Sequence, residues 1–349
     1  MPGDGPVGRQ APGDVCDGSR QRATVLPVNE PENMSKPVLV TGGAGYIGSV
    51  AVARLLEEGR QVRVLDNLSA GHRDAVADGA EFVEADLREP AGLTEVLDGI
   101  GTVFHFAAKS LVEESERHPD RYWENNLLGT RNLLNAMEQT GVERLVLSST
   151  AAVYGDPGVE VIDEETPARP INCYGATKLA AELLIETRAR TGGIAAAALR
   201  YFNVAGAYGR YGERHNEETH LIPRLLDGAG ITIYGADWPT HDGTCVRDYI
   251  HVLDLVEAHL LAERCIKSGE FLRVNLGTGR GYSVREVIAA LNRVTGADLD
   301  PAVAPRRAGD PARLVTSNHR AGMLLGWSPI RDIETIVKDA WEFHRRTEN

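Results

Sequence analysis

Between the apolar run Val38-Leu39-Val40 and a helical pattern from Val50 to Glu58 lies Thr41-Gly42-Gly43-Ala44-Gly45-Tyr46-Ile47-Gly48. No other stretch constrains the fold as strictly. A short apolar run of this kind reads as a buried parallel strand. Glycines at 42, 45 and 48 permit a tight turn, close approach of a pyrophosphate and close packing of helix on strand. The spacing is GxxGxxG, not the commoner GxGxxG. Its position between strand and helix gives the loop its weight: it predicts an α/β chain that holds a dinucleotide at the carboxyl edge of a parallel sheet.

The rest of the first half repeats that unit. Strands are expected over 61–65, 81–85, 102–106, 144–148 and 194–200, with helices over 120–139 and from Tyr174 to about Arg190. Strands alternating with helices imply a doubly wound parallel sheet of about six or seven strands. Asp66 falls 18 residues after Gly48, where a carboxylate bonds the ribose hydroxyls of NAD and repels the extra phosphate of NADP. Asp86 and Leu87 end the third strand, in place to meet an adenine. Ala107, Ala108 and Lys109 follow the fourth strand, and the small residues leave room for a cofactor.

Tyr174 and Lys178 are four positions apart on the second helix, so both leave one face. A phenol has a pKa of about 10, and a neighbouring ammonium favours the phenolate. Thr150, after the fifth strand, can hold a proton in transit. The three make a proton-transfer site of the kind that accompanies hydride transfer to a nicotinamide.

The net charge of -13 argues against a nucleic-acid or anionic-membrane surface as the main partner. Cys16, Cys173, Cys245 and Cys265 show no metal-ligand spacing, so no metal is expected, and they read as reduced thiols of a cytoplasmic protein. Residues 1–33 are rich in Gly, Pro, Asp and Arg and read as a disordered tail ahead of a natural start at Met34.

GGAGYIG, DNLS, HFAAKS, NNLLGT, SSTAAVYG, YGATK, RYFNVAGA, VRDYIHV and RRAGD stand in the order and spacing of the extended short-chain dehydrogenase/reductase family, which the chain resembles from about Met34 onward. The likeness is strongest to its UDP-hexose 4-epimerase branch. It implies a Rossmann-type NAD-binding domain over 34–203 and a smaller C-terminal α/β substrate domain over 204–349, with 248–261 and 273–277 returning to the first. It implies reversible 4-epimerisation of UDP-galactose and UDP-glucose through a 4-keto sugar, with bound NAD carrying the hydride. Tyr174 would act as base, Thr150 would bridge, and Lys178 would hold the nicotinamide ribose. Tyr46, Ile47, Asn67, Asn126 and Phe202 join the cofactor set. Asn203, His220, Leu221, Tyr234, Arg247, Arg307 and Asp310 would hold the UDP-sugar, and the helices at 120–139 and 173–190 would form a homodimer interface.

The sequence departs from that pattern in places. Cys173 stands where the family usually has Pro and reads as a core thiol in preference to an oxidation-sensitive neighbour of Tyr174; His220 replaces a frequent Asn, and Glu113 a frequent Gly. Leu314 occupies the position that gates sugar size, so N-acetylhexosamine, xylose/arabinose and glucuronate epimerases stay open. Ala151-Ala152 after Thr150 lacks the acid–base pair of a 4,6-dehydratase, and a non-enzymatic NAD sensor would typically have lost Tyr174 or Lys178.

Overall fold

A computed structural model of the chain describes residues 35–214, 220–227, 232–307 and 310–347, with Met1 and Gly3. Apart from those two residues, the tail expected over 1–33 lies outside them, as does Cys16. Met1–Pro31 and Glu32–Asn349 are separate units, and the strands and helices of the fold belong to the second.

Strands β1 (Val38–Thr41), β2 (Val62–Asp66), β3 (Glu81–Glu84), β4 (Thr102–His105), β5 (Arg144–Ser148) and β6 (Ala195–Tyr201) alternate with helices α1 (Tyr46–Glu57), α2 (Leu93–Leu97), α3 (Val112–Arg117), a long helix and α6 (Cys173–Gly192). The sequence pattern predicts the long helix as one regular run over 120–139. It instead comprises α4 (Pro119–Tyr122), a π-helical turn (Trp123–Leu128) and α5 (Gly129–Thr140). Such turns concentrate at functional sites, and this one carries Asn126. Asn172 caps α6, its Oδ1 accepting from Gly175 N–H at 2.8 Å. Gly193, at φ 74°, ends it.

The chain then runs through β7 (Asn203–Ala205), the hairpin β8 (Ala207–Tyr208) and β9 (Tyr211–Gly212), α7 (Leu221–Leu226), β10 (Thr232–Tyr234), β11 (Val246–His251), α8 (Val252–Cys265) and β12 (Phe271–Leu276). It closes with β13 (Gly281–Ser283), α9 (Val284–Thr295), β14 (Ala302–Ala304), β15 (Arg313–Leu314), α10 (His319–Leu325) and α11 (Ile333–Thr347).

Seven strands form one sheet in the order β12-β6-β5-β4-β1-β2-β3, every pairing parallel. The order reverses between β1 and β4, and a ligand crevice opens outside the strand ends at such a point. One face packs under α1, α8 and α10, the other under α2, α5 and α6. β11 pairs with β7, β13 and β15 away from the main sheet, and α7, α9 and α11 enclose a separate apolar cluster beside it.

β6 opens with four alanines, poor strand formers. Ala195 and Ala197 face one apolar layer and Ala196 and Ala198 the other, none more than 2% exposed. Their small size brings helices close on both faces. Ala197→Leu should therefore overpack the sheet and destabilise the protein by about 1–3 kcal/mol, read as a lower midpoint in denaturant unfolding.

Candidate functional site

A continuous cleft of about 1410 Å³ follows the carboxyl ends of the strands, from the glycine loop to Arg247 and Arg307. At one end the backbone is packed too tightly for side chains. Gly42 has φ +73°, and a Cβ there would lie 2.6 Å from Ala107 N; one on Gly48 would lie 2.1 Å from Gly42 O. α1 begins here with no side chain capping its first turn, so its N-terminal N–H groups and positive dipole end face the cleft, as an anion site requires.

Asp66 terminates β2 at 7% exposure. It accepts from Ala44 N–H at 3.0 Å and Leu68 N–H at 2.9 Å, so it also fixes the glycine loop. Burial raises its pKa, and those two backbone bonds oppose the rise. Asp86 is bonded by Arg88 at 2.6 Å and by Asn67 Nδ2 at 2.8 Å, and the Arg88 bond holds its pKa well below the usual carboxylate range. With the Asp86 carboxylate so engaged, Leu87 supplies the apolar wall there. Tyr46, Ile47, Ala107, Lys109 and Phe202 also line the cleft. The Tyr46 hydroxyl donates to Gly206 O at 2.6 Å, and Arg214 grips Asp74 with two bonds of 2.8 and 2.9 Å across the opposite wall.

Midway along, α6 turns an unusually polar face inward: Tyr174 is 8% exposed and Lys178 3%. The Tyr174 phenol is hydrogen-bonded to Thr150. Thr150 Oγ1 accepts from Ala152 N–H at 3.1 Å, which leaves its own proton for the phenol. Along the extended backbone Ser148 and Thr150 reach the cleft, whereas Ser149 turns back to bond Glu182. Ser115 Oγ accepts from Tyr174 N–H at 3.1 Å, and the Tyr122 ring meets the Tyr174 ring edge-on at 6.5 Å.

Without a dinucleotide the protein's own groups leave the pKa of Tyr174 raised to about 12, because burial outweighs the Thr150 bond; the expected lowering by the ammonium together with the nicotinamide cation concerns the loaded site. Burial likewise brings Lys178 down to about 8, against the attraction of Glu182. Desolvation disfavours both charged forms, and a further positive charge in the cleft would favour the phenolate.

The far end is cationic and aromatic. Arg307 lies over the Tyr234 ring at 3.8 Å. Arg247 donates to Pro311 O at 2.9 Å and lies 3.9 Å from Asp310. The Asn203 side chain is hydrogen-bonded to the Tyr249 phenol oxygen. Leu221 lines the wall, and His220 pairs with Glu213 at 2.6 Å. Leu314 lies beside Phe202 in a small apolar cluster.

Two expectations change with the geometry. Asn126 is absent from the cleft wall; 2% exposed, it bonds Lys109 and Thr177 from behind. Cys173 is half-buried, not in the core. Its N–H donates to Glu116 at 2.7 Å, a bond a proline could not make. Tyr249 joins the site: it lies within the VRDYIHV motif but is given no role there, although Arg247 and Tyr249 are two apart on β11 and so share a face. Asp248, between them, faces inward and ties Thr278 and Gly279. Among the described residues no cluster of His, Cys, Asp or Glu could hold a metal, and no helix is long and apolar enough to cross a membrane.

Residues 38–277 match the model of the NAD dependent epimerase/dehydratase family. The chain is 51% identical over 314 residues to UDP-glucose 4-epimerase of Corynebacterium glutamicum, covering 88% of this chain and 95% of that protein. Among solved structures, UDP-glucose 4-epimerase from Brucella ovis in complex with NAD is 43% identical, with a TM-score of 0.84 over 88% of this chain and 98% of that one. The enzyme from Bifidobacterium longum in complex with NAD+ and UDP is 34% identical, with a TM-score of 0.83 over 90% and 99%.

In the dinucleotide-free protein, Tyr174 should remain protonated through the neutral range. The wild type minus Tyr174→Phe difference absorbance of phenolate should stay flat to about pH 10 and rise near 12; a rise between pH 7 and 9 would contradict this. The folded chain keeps a proton that an unfolded tyrosine releases near 10. This group's contribution to stability is therefore lost as the pH rises from about 10 to about 12.

Proposed function

The chain belongs to the NAD dependent epimerase/dehydratase family, and from that premise we propose that it interconverts UDP-galactose and UDP-glucose by reversible 4-epimerisation, with bound NAD as the hydride carrier. One observation carries the reading: Tyr174, bonded to Thr150 and one helical turn from Lys178, lies midway along a cleft with a glycine-loop cradle at one end and an arginine-lined wall at the other. The cradle fits the cofactor, because a Cβ on Gly42 would already collide with Ala107, the α1 N-terminus meets a pyrophosphate, and Asp66 stands where a ribose needs an acceptor. Bound NAD would supply a reversible hydride acceptor beside the sugar.

The chain's residues do the rest. Tyr174 takes the proton of the sugar 4-hydroxyl, with Thr150 Oγ bridging between them. Lys178 binds the nicotinamide ribose, and its ammonium together with the nicotinamide cation opposes the burial that keeps the phenol protonated. Glycines 42, 45 and 48 with Tyr46, Ile47, Asp66, Asn67, Asp86, Leu87, Ala107, Lys109 and Phe202 form the cofactor half, and Asn126 supports Lys109 from behind. Arg247 and Arg307 hold the diphosphate with forked donors, aided by Asn203, His220 and Leu221. Tyr234 and Asp310 take the uridine. Firm hold on the nucleotide leaves the sugar free to turn between the two hydride transfers.

We divide the body into a cofactor domain (34–203) and a substrate domain (204–349), with 248–261 and 273–277 returning to the first. The pairing of β12 with β6 and the packing of α8 beside α1 support this division. We infer a homodimer built on the helices at 120–139 and 173–190, whose surface leaves Trp123 and Leu183 40% and 52% exposed, and a cytoplasmic setting, which the free thiols of Cys173, Cys245 and Cys265 suit.

Purified protein with NAD should convert UDP-galactose to UDP-glucose, and Tyr174→Phe should lower kcat by about 10²- to 10⁴-fold. Turnover of only N-acetylhexosamine, pentose or uronate UDP-sugars would move the substrate assignment, and no turnover of any would overturn it. Light scattering should give a dimer; a stable monomer would reject that part.

A further inference from the structure

Five polar side chains lie behind the wall of the cleft: Thr41, His105, Asn126, Thr130 and Thr177, none more than 2% exposed. His105 ends β4. Its Nδ1 is 2.7 Å from Thr41 Oγ1, and its Nε2 is 2.9 Å from Thr130 Oγ1. One bond sets the direction of the rest. The Thr130 hydroxyl donates to the Asn126 carbonyl at 2.6 Å, and a carbonyl only accepts. Thr130 Oγ1 must therefore accept from His105 Nε2–H. Burial, with Lys178 nearby, pushes the His105 pKa down to about 3, so the ring is neutral and its Nδ1 accepts from the Thr41 hydroxyl. Thr41 Oγ1 in turn receives Ala107 N–H at 3.5 Å.

On the other side, Asn126 Oδ1 accepts from Lys109 N–H at 2.8 Å, and its Nδ2 donates to Lys109 O and to Thr177 Oγ1, each at 3.0 Å. The Thr177 hydroxyl donates to the Tyr174 carbonyl at 2.8 Å. Two runs of bonds thus meet at Asn126: one reaches the residue before Gly42 from its backbone carbonyl, the other reaches the backbone of Tyr174 from its side-chain amide. Together they link β1, β4, α5, the π-helical turn and α6.

We propose that His105 is a positioning residue: a neutral ring of one fixed tautomer that ties the glycine-loop cradle to the helix carrying Tyr174 and so sets the gap across which hydride and proton move. This rests on the reading of the cleft as a hydride-transfer site. Directional bonds in a dry interior polarise one another and hold two banks in register more rigidly than apolar packing alone. Transfer is sensitive to such register, since a misplacement of about 1 Å can lower a rate by about a hundredfold.

A double-mutant cycle between Thr41→Val and Thr177→Val tests the link, because these residues bond to different members of the row. With NAD saturating, their effects on kcat for UDP-galactose should be coupled by at least about threefold, and the coupling should vanish in a His105→Gln background. KM for the UDP-sugar should change little. Additive effects in the presence of His105, or coupling that persists without it, would overturn the proposal. If Thr41→Val does not fold, Thr130→Val takes its place in the cycle.

Nitrogen-15 NMR of histidine-labelled protein tests the tautomer independently of any substrate. His105 should show a protonated Nε2 and a bare Nδ1, unchanged between pH 5.5 and 9. Titration in that range, or a proton on Nδ1, would overturn the proposal even if the protein turns over UDP-galactose. A wild-type protein inert towards every UDP-sugar, with His105 in the stated tautomer, would instead count against the reading of function.

Discussion

Gly42 and Ala107 approach so closely that the site one would give a side chain is 2.6 Å from the other's nitrogen. This approach occurs between β1 and β4, where the strand order reverses and consecutive crossovers depart to opposite faces of the sheet. Both strand ends come near each other there, and the cleft passes over them, lined by Gly42, Phe106 and Ala107. The helix carrying Tyr174 and Lys178, the arginine-lined wall and the buried His105 row are all arranged around that point.

The electrostatics of the site follow from burial before they follow from charge. Tyr174 and Lys178 share the inward face of α6 with Glu182, and all three are largely buried. In such surroundings the protein by itself holds the phenol protonated and weakens the ammonium. A further cation in such a site would favour the phenolate, so in the proposed reaction proton abstraction would depend on cofactor occupancy.

Much of this is legible in residue order. The glycine loop, the alternation of strands and helices, and the Tyr174–Lys178 spacing lie within short windows, where backbone sterics and helical periodicity act locally. Arg247, Tyr234, Arg307 and Asp310 are named only through resemblance, since nothing in their neighbourhoods distinguishes a ligand arginine from a solvated one. Tyr249 is given no role although it lies in the VRDYIHV motif and the period of a strand puts it beside Arg247. Asn126 is expected on the cofactor, whereas its amide is wholly engaged by Lys109 and Thr177. The π-helical turn is not legible, because one extra residue per turn leaves little mark on an apolar pattern.

The order of residues alone determined a parallel sheet with a glycine cradle, and a tyrosine and lysine on one helical face, since these depend on hydrogen bonds and dihedral limits between near neighbours. Only the tertiary structure decided which groups are dry, which carboxylates are already engaged, and that a buried histidine joins the cradle to the catalytic helix. Those properties depend on water excluded by segments far apart in the chain. Thr41 meets His105 across 64 positions and Asn126 meets Thr177 across 51, separations at which no local pattern carries information.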